Sequence, residues 1–216
     1  MTTLNADLFF SFRSPYSYLS IGRYIELAQN HNISILLRPV YPLAIRQPDF
    51  FEKNHPNWLT YTMLDMKRVA EFYGIPFKRP KPDPIIQDVE TRKIARNQPY
   101  IWNVTRLAYT ASQKGRGLEF AFEVSSLIWG GTQNWHQRKY LHEAACRAGL
   151  SLSELELLID KRELYIDDEI KANQRSLEDC GHWGVPTLVF RGEPFFGQDR
   201  IEIAKWRMMQ SGLKRL

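Results

Sequence analysis

The sequence predicts an α/β fold with a large all-helical insertion, and three observations lead to that class. Runs rich in aromatic and β-branched residues occur only near the two ends, at residues 7–12, 33–38 and 187–196. Between the first two lies a segment with apolar residues at helical spacing, which makes a strand, helix, strand unit with parallel strands and a right-handed crossover. From about residue 42 to 165 helical periodicity dominates and β-branched runs disappear. The two ends together build one α/β domain, residues 1–42 plus 166–216, and residues 43–165 form a helical domain inserted in its middle.

Residues 7–12 (Asp-Leu-Phe-Phe-Ser-Phe) are short and aromatic, which suits a buried strand. A helix follows from Pro15, with Tyr18, Ile21, Ile25 and Ala28 along one stripe and Ser14-Pro15 as the start signal. Residues 33–38 form the second strand, stopped by Pro39. In the insertion, Tyr61, Leu64, Arg68 and Phe72 share one face of a helix ended by Gly74 and Pro76, and a proline-rich connector follows over residues 78–84. Further helices are predicted over about 98–114, closed by Gly115; 119–129; 136–148, closed by Gly149; and 153–160, where Ser153 and Glu156 have capping-box spacing. A helix over about 167–180 stops at Gly181. Residues 187–191 form a strand, Gly192-Glu193 turn the chain, residues 194–196 return as its hairpin partner, and a closing helix runs over 199–209.

Composition removes several classes of function. A chain of 216 residues with 44% hydrophobic content can bury a full core without disulfide staples. Its two cysteines, Cys146 and Cys180, lack C-x-x-C spacing, so no zinc knuckle, disulfide scaffold or cysteine-pair redox motif is encoded. His31, His55, His136, His142 and His182 form no metal-ligand spacing, and no metal is expected; Cys180-Gly181-His182 reads as a helix stop between a buried thiol and a loop imidazole. The N-terminus lacks a basic flank followed by a long apolar run, and no apolar stretch approaches the ~18–20 residues of a membrane span. A cytoplasmic protein without a membrane partner is the expectation. The 29 basic residues exceed the 24 acidic ones by five, but they are scattered among acids and aliphatics, so nucleic acid is not an expected partner either.

Three segments carry candidate chemistry. Ser14-Pro15-Tyr16-Ser17 lies on the turn between the first strand and helix, where α/β sheets bind ligands and a helix N-terminus offers free N–H groups. Its bland reading is an N-cap serine before a Pro at the first helical position, and both can hold together. Gly184-Val185-Pro186-Thr187 places a proline at the entry to a strand, either as a plain strand leader or as a cis bond that turns the Val185 backbone toward a ligand. Phe196-Gly197-Gln198-Asp199-Arg200 opens the last helix. Its amides suit a carboxylate and Asp199 an ammonium, but Asp199 with Glu202 also fits an ordinary cap.

In this order, and with Tyr73-Gly-Ile-Pro76 and Ile128-Trp129-Gly130 in the helical block, the three segments resemble the thioredoxin-like fold of the DsbA group. Ser-Phe-Arg-Ser-Pro-Tyr-Ser-Tyr-Leu at 11–19 is similar to the opening motif of 2-hydroxychromene-2-carboxylate isomerases and the related kappa-class glutathione transferases. The resemblance spans nearly the whole chain.

The resemblance implies that Ser14 and Ser17 stand where the redox cysteines of the fold would be, so the thiol must be borrowed. It implies glutathione as cofactor, with Ser14 donating a hydrogen bond to its sulfur. Val185, before a cis Pro186, would pair with the cysteinyl part, and Gln198 and Asp199 would hold the γ-glutamyl end, with Asn54 and Asn57 as further contacts. The substrate would be a small aromatic carboxylate walled by Tyr16 and Trp129 with a nearby Arg as counter-charge, and the protein a homodimer. The implied reaction is glutathione-dependent isomerisation in aromatic compound catabolism. A kappa-like transferase and a non-catalytic peptide-binding module are the alternatives. Arg13 beside Ser14 and the long Gln198 depart from the family pattern, and either could alter the electrophile accepted.

Overall fold

A computed structural model describes residues 2–48, 50, 55–88 and 93–216. Four strands form a mixed sheet in the order β2, β1, β3, β4. β1 (Leu4–Phe10) and β2 (Ile33–Pro39) pair in parallel, from Leu4 opposite Ile33 to Phe10 opposite Pro39, and α1 (Pro15–Asn30) is their crossover. β3 (Thr187–Phe190) runs antiparallel to β1 with Thr187 opposite Phe9, and β4 (Glu193–Phe196) runs antiparallel to β3. β1 is central, which is why Leu8, Phe9 and Phe10 are all buried instead of alternating.

The first strand ends two residues earlier than its aromatic run suggests. Ser14 N–H donates to Ser11 C=O at 3.0 Å and turns the chain, while Phe12 packs edge-on against Phe10 at 5.2 Å. The aromatic content of residues 11–12 reports burial, not pairing. At the hairpin the turn is Arg191-Gly192 instead of Gly192-Glu193. Both have positive φ, 53° and 80°, the two-residue geometry that matches the twist of the flanking strands. Pro194 opposite Val189 is tolerated because β4 is an edge strand.

The helices between the strand pairs are α2 (Leu43–Arg46), α3 (Pro56–Tyr73), α4 (Pro99–Gln113), α5 (Gly117–Gly130), α6 (Arg138–Arg147) and α7 (Leu152–Asp179), and α8 (Ile201–Met209) closes the chain. α7 joins the two helices expected at 153–160 and 167–180, with one non-helical residue, Arg162, between them. Its cap is Ser151, which accepts from Glu154 N–H, and not Ser153. Arg138 draws Ser153 and Glu156 outward as its own partners. The face of α3 carrying Tyr61, Leu64 and Phe72 points to solvent, and Met66 and Ala70 form its buried side. One hydrophobic cluster joins sheet residues Leu8, Phe10 and Leu37 to Leu107 of α4, Phe120 of α5 and Ile166 of α7. Each such side chain contributes roughly 1.5–3 kcal/mol on burial. Ser112 Oγ donates to Leu37 C=O at 2.7 Å, fastening α4 directly to β2.

A charged network ties α4 to α7. Arg106 forms two 2.7 Å bonds to Asp167 and a 2.7 Å contact to Glu163, while Tyr41 donates to Asp167 at 3.0 Å. Burial alone would push the Asp167 carboxyl up, but the bonds from Arg106 and Tyr41 outweigh it and hold the group below its usual range. A carboxyl depressed in the folded state adds stability above its unfolded pKa, about 4, and that stability disappears as pH falls through the folded value. The stability difference between wild type and Asp167→Asn, from urea midpoints at a series of pH values, is therefore expected to be constant above about pH 5 and to shrink steadily below about pH 4. A difference independent of pH would contradict this account.

Candidate active site

The turn from β1 into α1 sets the first group. Ser14 has extended backbone angles (φ −90°, ψ 111°), the conformation of an N-cap, and Pro15 occupies the first helical position. Ser14 Oγ accepts from Ser17 N–H at 3.2 Å and donates its proton to Val185 C=O at 3.1 Å. The cap is formed, and the same hydroxyl reaches across to the loop before β3. Ser17 is fully buried, and its own hydroxyl has no hydrogen-bond partner among the described residues. A thiol or another polar atom beside Ser14 would meet its hydroxyl and the positive end of a four-turn helix.

Opposite stands the loop before β3. The Val185-Pro186 bond is cis, and the Val185 carbonyl faces Ser14. Gly197 N–H donates to Pro186 C=O at 2.9 Å, linking this loop to the third segment. Thr187 Oγ1 and the His182 ring hold Gly184 from either side, with bonds of 2.8 and 2.9 Å. A side chain at Gly184 would put its Cβ 2.5 Å from the Phe196 ring, so only glycine lets the loop pass under the His182–Phe196 stack. Burial holds His182 below its ordinary pKa, leaving a neutral ring whose Nδ1 accepts from Gly184. Arg46 donates to Trp183 C=O and Tyr41 C=O, each at 2.8 Å, and braces the loop from α2.

The third group is the turn at Gly197 (φ 108°). Asp199 is not the cap of α8: Arg200 takes that position without a side-chain bond, and Asp199 is exposed and paired with Arg200 at 2.6 Å. The Gln198 and Asp199 amides, outside the helix, make no hydrogen bond among the described residues. They remain available to an acceptor.

Tyr16 lies beside the turn and donates to Asp65 of α3 at 2.6 Å. Burial first, and then Asp65, raise its phenol well above the ordinary value, so it remains a protonated donor. Arg13 is held in a two-point ion pair with Asp83 of the connector, at 2.8 and 3.1 Å, and is not free as a counter-charge. The connector's Lys78, Arg79 and Lys81 instead line a cavity of about 230 Å³ with Gly131, Thr132 and Gln133. Trp129 is 7% exposed, stacked on Phe77 at 5.6 Å, and its N–H donates to Phe12 C=O at 2.9 Å. It supports the Ser14 turn from behind. Asn57 is exposed at the start of α3, eight residues or ~12 Å of helix before Asp65, and its N–H donates to His55 Nδ1. Asn54 lies outside the described residues.

Sequence reasoning missed Asp65, Asp83 and Arg23, the last of which bonds Gln198. Asp65 and Asp83 come from segments far from the Ser14 turn in sequence, and Arg23, although on α1, lies 175 positions from the Gln198 it bonds. Only Arg23 left a trace, as a cation amid the apolar residues Leu19, Ile21, Tyr24 and Leu27 of α1.

A family model described as a DSBA-like thioredoxin domain matches residues 6–208. The chain is 23% identical over 217 residues to a 2-hydroxychromene-2-carboxylate isomerase of Pseudomonas putida, covering 97% of this chain and 94% of that one. In fold it is similar to a solved 2-hydroxychromene-2-carboxylate isomerase, with TM-score 0.71 and 20% identity over 96% and 95% of the two chains. It is also similar to the cytosolic disulfide reductase DsbM of Pseudomonas aeruginosa solved with GSH, with TM-score 0.65 and 14% identity over 96% and 98%. Among the described residues no helix is long and apolar enough to cross a membrane.

Proposed function

Since the chain belongs to the DSBA-like thioredoxin domain family, we propose that it is a glutathione-dependent isomerase of the 2-hydroxychromene-2-carboxylate isomerase type, acting on a small aromatic carboxylate. The observation that carries this reading is the Ser14 hydroxyl at the N-terminus of α1, facing the Val185 carbonyl, with a second serine at position 17. Two hydroxyls cannot form or exchange a disulfide, so this chain needs a thiol from outside. The groups present suit glutathione: the Ser14 hydroxyl, the Val185 main chain, and the Gln198 and Asp199 amides, which make no hydrogen bond among the described residues.

When bound, glutathione supplies a thiol nucleophile able to add to a conjugated double bond and leave again after rotation about the resulting single bond. The chain's own part is acidity and position. A thiol of pKa about 8.5 is mostly protonated at neutral pH, and each unit of lowering takes about 1.4 kcal/mol. A charge-assisted bond from Ser14, together with the end of α1, accounts for one to two units. Ser14 must give up Val185 C=O to make that bond. A peptide N–H of the ligand replaces Ser14 there, so the Val185 carbonyl is not left unpaired. Pro186 keeps this edge free of a competing donor.

The test couples binding with turnover. Calorimetric titration is expected to show saturable glutathione binding, worth about 2.7 kcal/mol of stabilisation at 100 times Kd. Equilibration of 2-hydroxychromene-2-carboxylate is expected only with glutathione present and with all of it recovered. Release of a conjugate would make the protein a transferase, and no thermal shift at millimolar glutathione would remove the cofactor from the reading.

A further inference from the structure

Arg23, near the middle of α1, is half-buried and has no carboxylate partner among the described residues. One of its terminal nitrogens donates to Gln198 Oε1 at 2.6 Å and the other to the Tyr73 hydroxyl at 3.0 Å, with the guanidinium carbon 4.2 Å from the centre of the Tyr73 ring. The cation is thus clamped between α1, the end of α3 and the Gly197 turn. A side-chain amide can ordinarily present either its oxygen or its nitrogen to a ligand. A guanidinium has donors only, so Arg23 forces the Gln198 oxygen toward itself. The two N–H donors of Gln198 are left over, and they meet no acceptor among the described residues. They belong to the same turn as the main-chain amides of Gln198 and Asp199, which make no hydrogen bond among the described residues.

We infer that Arg23 is a positioning residue that fixes Gln198 as a donor and makes this end of the groove selective for a carboxylate. The inference rests on the glutathione reading, in which this turn takes the γ-glutamyl end with its α-carboxylate, and what it adds is the part that Arg23 plays through Gln198. Two main-chain N–H groups, one side-chain NH2 and the field of a half-buried cation all favour an anion at this point. The neighbouring ammonium group is disfavoured there and falls to Asp199, the acid of this turn.

Calorimetric binding to the unliganded protein tests this with two peptides, glutathione and its analogue lacking only the α-carboxylate, 4-aminobutyryl-cysteinyl-glycine. Wild type is expected to bind glutathione about tenfold or more tightly than the analogue. Arg23→Met is expected to weaken glutathione by a similar factor and leave the analogue nearly unchanged, so that the preference collapses. Arg23→Lys, which keeps the charge but has a single donor nitrogen in place of the guanidinium fork, is expected to fall between them. In a Gln198→Ala background Arg23→Met should cost little more, because its effect passes through that amide. Equal weakening of both peptides, or an undiminished further loss in the Gln198→Ala background, would mean that Arg23 only braces α1 against α3 and would overturn the inference. Wild type that binds neither peptide would instead overturn the glutathione reading on which it stands.

Discussion

Ser14→Ala is expected to lower glutathione-dependent turnover by about 10²–10³-fold, the usual cost of removing one donor aimed at developing negative charge. The variant keeps its β-carbon and its place before Pro15, but loses the proton now directed at Val185 C=O and the acceptor for Ser17 N–H. Loss of the cap lowers stability by about 1 kcal/mol, too little to unfold a chain of this size. The thiolate absorbance of bound glutathione, titrated against pH, separates the two effects. In the variant its midpoint is expected to move back toward that of the free thiol. Turnover and midpoint both unchanged would show that Ser14 is a cap and nothing more, and the isomerase reading would lose its central residue.

Trp129→Ala is expected to cost about 3–5 kcal/mol of stability, as for other buried tryptophans cut back to a methyl group. The ring fills the space behind the Ser14 turn, stacked parallel to Phe77. A milder substitution makes the role visible. Trp129→Phe preserves the stack but leaves Phe12 C=O without its donor, at a cost of about 1–3 kcal/mol. The expected signature is a lower urea midpoint by circular dichroism. Turnover should fall through kcat as the Ser14 turn loosens, with the KM for the aromatic substrate little changed. An unaltered midpoint with a raised KM would restore Trp129 to the substrate wall that sequence reasoning assigned to it.

Legibility in the sequence differed between backbone and side chains. Elements that announce themselves by local chemistry were readable: the Ser14-Pro15 helix start, and the Gly74, Gly115, Gly149 and Gly181 stops, each with positive φ. Boundaries moved where a partner distant in sequence intervened. Arg138 took Ser153 and Glu156 away from the cap of α7, and Arg191 entered a left-handed turn conformation because a two-residue hairpin demands it. The candidate site was legible as three separate segments. Their convergence was not, because 171 positions separate Ser14 from the carbonyl it contacts.

By itself the sequence determined that no cysteine pair at C-x-x-C spacing is present, and its resemblance to the DsbA group implied serines, Ser14 and Ser17, where the redox cysteines of that fold would stand. It also determined the order of strands and helices, because periodicity, proline and glycine act over a few residues. Only the tertiary structure decided what each polar group is free to do. Arg13 is neutralised by Asp83, Tyr16 is engaged by Asp65, Trp129 is turned inward, and Gln198 is oriented by Arg23. A donor's availability depends on which acceptors lie within about 3 Å of it, and folding brings those from remote parts of the chain.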